Sequence, residues 1–91
     1  MGRYFLHVFN RLGSVPDEEG VELGGLEVAV DLALDSIRSI ISEEARQGRL
    51  DLDGRIEIGD SSGQVLRVVP FPEAFQLCEA GERAFGGSAS R

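Results

Sequence analysis

Apolar residues recur at three- and four-residue steps between positions 26 and 47, while charged residues occupy the opposite side of the same turns. This spacing is typical of an amphipathic helix with one buried face. Gly48, which follows, is a common helix terminator, and Arg46 suits the negative end of the helix dipole. The pattern therefore predicts one long helix over residues 26–47. Its core positions are expected to be Leu26, Ala29, Val30, Ala33, Ile37, Ile40, Ile41 and Ala45.

Residues 3–9 alternate between two sets of side chains, with no glycine or proline among them. Such alternation predicts a β-strand, and apolar side chains in both sets predict a central position in a sheet. One set should face the helix, and the other should face the C-terminal tail or a second copy of the chain. The first set is Tyr4, Leu6 and Val8, and the second is Phe5, His7 and Phe9.

Short extended segments lie on both sides of the helix. Residues 21–23 are expected to pair with the first strand, whereas residues 10–20 have the glycine, proline and acidic content of a loop. Residues 55–59 and 64–69 flank a turn that ends in glycine, which predicts a β-hairpin.

The predicted architecture is α+β, with one long amphipathic helix packed on a small antiparallel sheet of three to four strands in β-β-α-β-β order. Leu50 and Leu52 are expected to tuck under the sheet edge. Pro72 can open a short C-terminal helix. A chain of 91 residues can bury one modest core, so we expect a single domain over residues 1–76. Residues 77–91 should form a largely disordered extension, because glycine, serine and alanine predominate there.

Charge and cysteine content narrow the classes of partner and the compartment. Sixteen acidic and nine basic residues leave a formal net charge of −7. Because nucleic acid and anionic membranes bind mainly basic surfaces, we expect neither as a partner. A protein partner or a second copy fits the composition. The lone Cys78, the absence of a secretory pattern and the absence of a long apolar run lead us to expect a cytoplasmic protein.

His7 is the only histidine and the starting point for any general-base hypothesis. The chain has no nucleophile motif, phosphate-binding glycine loop, histidine pair or Cys-x-x-Cys. An enzyme would therefore have to combine His7 with scattered carboxylates such as Asp17, Glu18, Asp51 or Asp60.

Two acidic stretches invite a metal hypothesis, which the spacing disfavours. Residues 17–19 are three consecutive acids, and Asp51 and Asp53 precede Gly54. Calcium loops instead place oxygen ligands at alternate positions and close with a glutamate. We predict no catalytic, metal-binding or cofactor-binding residue.

Four segments of the chain resemble a known family. They are RYFLHV at 3–8, PDEEGVEL at 16–23, GRLDLDGRIEI at 48–58 and VPF at 69–71. In this order and spacing they resemble the DUF6894 family of small bacterial proteins of unknown function. The resemblance implies a bacterial origin and a stand-alone small protein, and it implies no activity, cofactor or catalytic residue. The chain after Phe75 departs from the family pattern.

Two classes of function follow. We prefer a non-catalytic protein-interaction or regulatory module, with a homodimer as one form of it. The candidate interface residues are Phe5, His7 and Phe9, together with Val28 and Leu32, which form a narrow apolar ridge outside the main helical stripe, here called the helix ridge. The alternative is a small hydrolase or metal-dependent enzyme that uses His7. An enzyme needs His7 in a concave pocket within hydrogen-bond reach of a carboxylate, whereas a module presents it on a flat or paired surface.

Overall fold

The computed structural model describes residues 2–75 and has the predicted α+β architecture. One helix packs on an antiparallel sheet, and a single 3₁₀ turn follows the last strand. The elements in chain order are β1 (Gly2–Asn10), β2 (Gly13–Val15), β3 (Val21–Leu23), α1 (Leu26–Arg46), β4 (Arg55–Gly59), β5 (Val65–Pro70) and the 3₁₀ turn (Phe71–Ala74).

The first strand is the centre of the sheet, as predicted. β1 pairs with β4 along one edge, and β5 lies outside β4. Along the other edge of β1, β2 pairs with one end of the strand and β3 with the other. All of these pairings are antiparallel.

The sheet has five strands, so the predicted count of three to four and the β-β-α-β-β order were wrong by one strand. Gly13–Val15, which we assigned to a loop, pairs with the end of β1. The side chain of Asn10 accepts a hydrogen bond from the N–H of Leu12 at 2.9 Å, which favours the tight turn between the two strands. A strand of three exposed residues has no apolar alternation, and the sequence pattern therefore missed it.

The helix begins at the predicted residue and ends one residue early. Its end is a Schellman motif, in which Gly48 has φ +88° and the N–H of Arg49 donates to the carbonyl of Glu44 at 2.9 Å. Gly25 precedes the helix without a side-chain cap. Glycine thus bounds the helix at both ends.

The core lies between α1 and one face of the sheet. It consists of Ala29, Ala33, Ile37 and Ile41 from the helix, Ile56, Ile58 and Val69 from the strands, and Phe71 and Ala74 from the 3₁₀ turn. Of the other predicted core positions, Leu26 and Val30 are half-buried and pack against this core, Ile40 is also half-buried, and Ala45 is exposed. Residues four apart rotate by about 40° per step around a helix. Ala45 therefore points well away from the side on which Ala29 is buried.

The segments after the helix agree only partly with the prediction. Leu52 packs against the core, but Leu50 is 72 % exposed and does not lie under the sheet edge. The predicted short helix is a 3₁₀ turn, and its buried residues are Phe71 and Ala74. Positions 76–78 of that predicted helix and the predicted extension over residues 77–91 lie outside the described residues. Within residues 2–75, the one helix lacks the apolar character needed to cross a bilayer.

Candidate functional site

The helix covers one face of the sheet, and the opposite face carries the second set of β1 side chains. We call this opposite surface the far face. Within residues 2–75, neither the helix nor the 3₁₀ turn packs on it, because both contribute to the core on the other side. The far face is formed by Phe5, His7 and Phe9 on β1, Arg55 and Glu57 on β4, and Val68 and Pro70 on β5.

The strand register arranges part of the far face as two parallel rows. Phe9 is opposite Arg55, which is opposite Pro70, and these three residues form row one. His7 is opposite Glu57, which is opposite Val68, and these form row two. Each row therefore runs from an aromatic ring through one charge to an apolar side chain.

The charges of the two rows are paired with each other. The guanidinium carbon of Arg55 lies 4.3 Å from the centre of the Phe9 ring, and its Nε donates to Oε2 of Glu57 at 2.7 Å. These are the only charged side chains at the far-face positions of β4 and β5. Both remain partly accessible, so each can still interact with a charged group of a bound protein.

The far-face side chains of β1, which are Phe5, His7 and Phe9, are half-buried by their neighbours. Phe5 and His7 stack with ring centroids 6.4 Å apart and planes inclined by 11°. Gly20 lies against the Phe5 ring and the stem of Arg3, where a Cβ would come within 2.8 Å of the ring. Val68 is more open, with 42 % of its surface exposed.

His7 contacts Asp17, but through the backbone of Asp17. The N–H of Asp17 donates to Nδ1 of His7 at 3.0 Å. The carboxylate of Asp17 instead accepts hydrogen bonds from the backbone N–H groups of Leu6, Glu19 and Gly20 at 3.0–3.3 Å. The contact therefore holds the 16–20 loop against β1.

The surroundings of Asp17 lower the pKa of its carboxyl group. Burial alone would raise the pKa of the Asp17 carboxyl. The hydrogen bonds from Gly20, Leu6 and Glu19, with the attraction of His7, outweigh burial and hold the pKa below its ordinary value. The carboxylate is thus kept ionised as an acceptor for the loop.

The other carboxylates proposed for catalysis are engaged elsewhere or exposed. Asp51 pairs with Arg11 at 3.3 Å, and Glu18 is exposed in its loop. Asp60 closes the β4–β5 turn, where the Ser62 hydroxyl and the N–H groups of Gln64 and Ser62 donate to it and hold its pKa below the ordinary value. In the part of the chain that the structure describes, no three histidine, cysteine or acidic side chains are grouped so as to hold a metal ion.

The predicted interface residues fall on two separate surfaces. Phe5, His7 and Phe9 lie on the far face, as the alternation of β1 requires. Val28 and Leu32, the helix ridge, are 46 % and 38 % exposed on the outer side of α1. The predicted interface residues thus form two distinct candidate surfaces, and which of them binds a partner stays a prediction.

Val68 and the Arg55–Glu57 pair were not among the predicted interface residues. The signal was available for Val68, because the segment around it is apolar at both alternating positions, as β1 is. From the sequence, Arg55 and Glu57 are ordinary solvent-facing residues. The strand register places them between the far-face side chains of β1 and those of β5.

The family model described as "Domain of unknown function (DUF6894)" matches residues 3–72 of the chain. No curated protein and no solved structure matches the chain. The matched range contains the helix, the sheet except for Gly2, and all the far-face residues.

Proposed function

The chain belongs to the DUF6894 family, and from that premise we propose that it is a non-catalytic protein-interaction module with a regulatory role exerted through binding. The description of the family carries no activity, so the proposal draws on the chain's own surface. Its single supporting observation is the far face, an apolar sheet surface on which no helix of residues 2–75 packs.

The composition of the far face supports protein binding. Aromatic rings and aliphatic side chains gain most when a partner removes them from water, and aromatic residues are enriched at the centres of interfaces. Phe9 is already partly shielded by Arg55, which leaves an amphipathic surface suited to contact with another protein. A half-exposed Val68 at the edge of the same surface extends the apolar area.

The polar groups near His7 support a structural role. Nδ1 of His7 and both oxygens of Asp17 accept backbone hydrogen bonds that hold the 16–20 loop. A general base would need a free nitrogen aimed into a concave site together with an orienting carboxylate. The proximity of Asp17 to His7 is the one observation that favours a small hydrolase or metal-dependent enzyme, which is the second candidate.

We also propose that the partner is a protein or a second copy of the chain and that the location is cytoplasmic. The net charge of −7 supports a protein, or a second copy of the chain, over nucleic acid or an anionic membrane. The single cysteine supports a cytoplasmic location, where thiols stay reduced.

Two matched substitutions test the proposal. Val68→Asp places a charge on the far face, and Val28→Asp makes the same change on the helix ridge at similar exposure. Immobilised wild type, Val68→Asp and Val28→Asp are compared for proteins captured from the lysate of the encoding organism and for self-association. We expect Val68→Asp to lose the bound protein and Val28→Asp to keep it, with both variants folded by circular dichroism.

Binding that is equal for both variants, or a wild type that binds neither itself nor another protein, would overturn the interaction module. The enzyme hypothesis is tested by assaying ester, amide and phosphate hydrolysis with wild type and His7→Gln. If wild type hydrolyses a substrate and a folded His7→Gln variant does not, the enzyme hypothesis is supported and the non-catalytic module is overturned.

A further inference from the structure

The far face is complementary to itself. We propose that it binds the far face of a second copy of this chain, so that the protein forms a twofold dimer with sheet packed on sheet. This inference rests on the proposed function, since it names the partner that the far face binds.

The two rows make the far face self-complementary. Row one (Phe9, Arg55, Pro70) and row two (His7, Glu57, Val68) lie at successive levels of the same face, about 7 Å apart along the strands. They match column by column, with an aromatic ring on β1, a charge on β4 and an apolar side chain on β5. The charges are opposite in sign.

A twofold axis exchanges the rows. The axis lies in the plane of the interface, perpendicular to the strands, and crosses the sheet at the level of Val8 and Ile56, between the two rows. Rotation about it lays row one of each copy on row two of the other. Phe9 then meets His7 of the second copy, Arg55 meets Glu57 of the second copy, and Pro70 meets Val68 of the second copy. Packed sheets cross at about 30°, an angle that the long side chains of Arg55 and Glu57 can span.

The charge distribution favours a second copy over a basic protein. The chain has a net charge of −7, yet the charges within the two rows cancel. A basic partner would gain most on the outer side of the helix, which carries Glu27 and Asp31 beside the ion-paired Asp35 and Glu43. Two far faces approach with their acidic helices pointing away from each other.

The size of the far face sets the expected strength of the dimer. A sheet four strands wide is about 19 Å across, and the face extends about 20–30 Å along the strands. Two such faces bury on the order of 1,000 Å², which is near the lower end of specific interfaces. We therefore expect a dimer that dissociates in the micromolar range.

Charge exchange tests this geometry. The mass in solution is measured by sedimentation velocity across a range of concentrations for wild type, Arg55→Glu, Glu57→Arg, the double variant, and an equimolar mixture of the two single variants. Each single variant places like charges against each other, and we expect its dimer to weaken at least tenfold. The double variant and the mixture restore opposite charges across the interface, and we expect both to dimerise like wild type.

A second ion pair supplies the matched control. Arg46 and Glu43 lie 2.9 Å apart on the outer side of the helix. Arg46→Glu and Glu43→Arg change the net charge by the same amounts as the far-face variants, and we expect them to leave the dimer unchanged. Circular dichroism checks that every variant is folded.

The outcomes separate this inference from the proposed function. A wild type that stays monomeric at high micromolar concentration overturns the dimer, as do single variants that dimerise like wild type. If wild type in that case binds another protein and Val68→Asp does not, the interaction module is still supported. If a charge variant fails to fold, the same mass measurement on Val68→Asp and Val28→Asp decides, and equal dimerisation of these two overturns the far-face dimer.

Discussion

Asp17 binds the stretch of the central strand's outer edge that neither β2 nor β3 pairs with. β3 pairs with positions 2–4 of β1 and β2 with positions 8–10, so the edge between them lacks a paired strand. The Asp17 carboxylate accepts the N–H of Leu6 there and also binds the N–H groups of its own loop. A single ionised side chain thus takes the place of strand pairing.

The pH dependence of stability follows from this arrangement. The folded-state pKa of Asp17 is lowered, so its stabilisation is complete above the unfolded-state pKa of about 3.9 and is lost as the pH falls through the folded-state value. We expect Asp17→Asn to reduce the free energy of unfolding by about 1–3 kcal/mol at neutral pH. The difference from wild type should shrink below about pH 4. Urea unfolding followed by circular dichroism measures it.

Glu18→Gln is the control for this prediction. It removes one negative charge from the adjacent, exposed position. An exposed substitution of this kind changes stability by about 0.5 kcal/mol or less. If Asp17→Asn behaves like Glu18→Gln at every pH, the carboxylate does not stabilise the loop.

Gly54 allows an aromatic ring to lie on the backbone. A Cβ there would come within 2.7 Å of both the Phe71 ring and the carbonyl oxygen of Phe9. The carbonyl belongs to the central strand and cannot move without disturbing its pairing. We expect Gly54→Ala to cost about 1–3 kcal/mol in denaturant unfolding. Gly24→Ala, which meets only an ordinary contact at 4.0 Å with Val28, should change stability far less.

The helix is the largest contributor to the core among the elements. Four of its residues are buried at four-residue intervals, and the helix contacts β1, β3, β4, β5 and the 3₁₀ turn. Arg38 adds a polar link, because its Nε donates to the carbonyl of Ala74 at 2.9 Å. The helix thereby joins the end of the described chain to the sheet.

Truncating the middle of this buried stripe should be costly. Ile37 has no exposed surface. We expect Ile37→Ala to lower the free energy of unfolding by about 2–5 kcal/mol, because it removes buried methyl groups and leaves a cavity. Val28→Ala removes methyl groups from the exposed helix ridge and should cost well under half as much. Chemical denaturation of both variants measures the difference. Equal losses would mean that the helix ridge is covered in solution.

On the scale of the whole molecule, the helix covers one face of the sheet, and no helix within residues 2–75 covers the other. A protein of this build gains by burying the second face, and self-association makes its thermal stability depend on concentration. We expect the Tm of wild type to rise by about 3–5 °C for each tenfold increase in concentration. Arg55→Glu should show a much smaller slope. Calorimetry at several concentrations measures both, and a flat wild-type slope contradicts self-association.

The candidate surface shows how far sequence reasoning could go. Alternation along β1 was enough to place Phe5, His7 and Phe9 on one face, because a strand sends successive side chains to opposite sides. It could not show how this face lies relative to the helix ridge, since only tertiary packing leaves Val28 and Leu32 exposed on the outer side of the helix. The sequence named Asp17 as one of four possible partners of His7, but only the fold shows that Asp17 contacts His7 and does so through its backbone N–H.

The sequence by itself determined the α+β class, the helix and its glycine stop, the central strand and the β4–β5 hairpin. These depend on local periodicity and on backbone preferences that act within a few residues. Only the tertiary structure decided the fifth strand, the role of Asp17, the close approach at Gly54 and the two matched rows of the far face. Each of these depends on strand register, which pairs residues distant in the sequence and which local patterns do not specify.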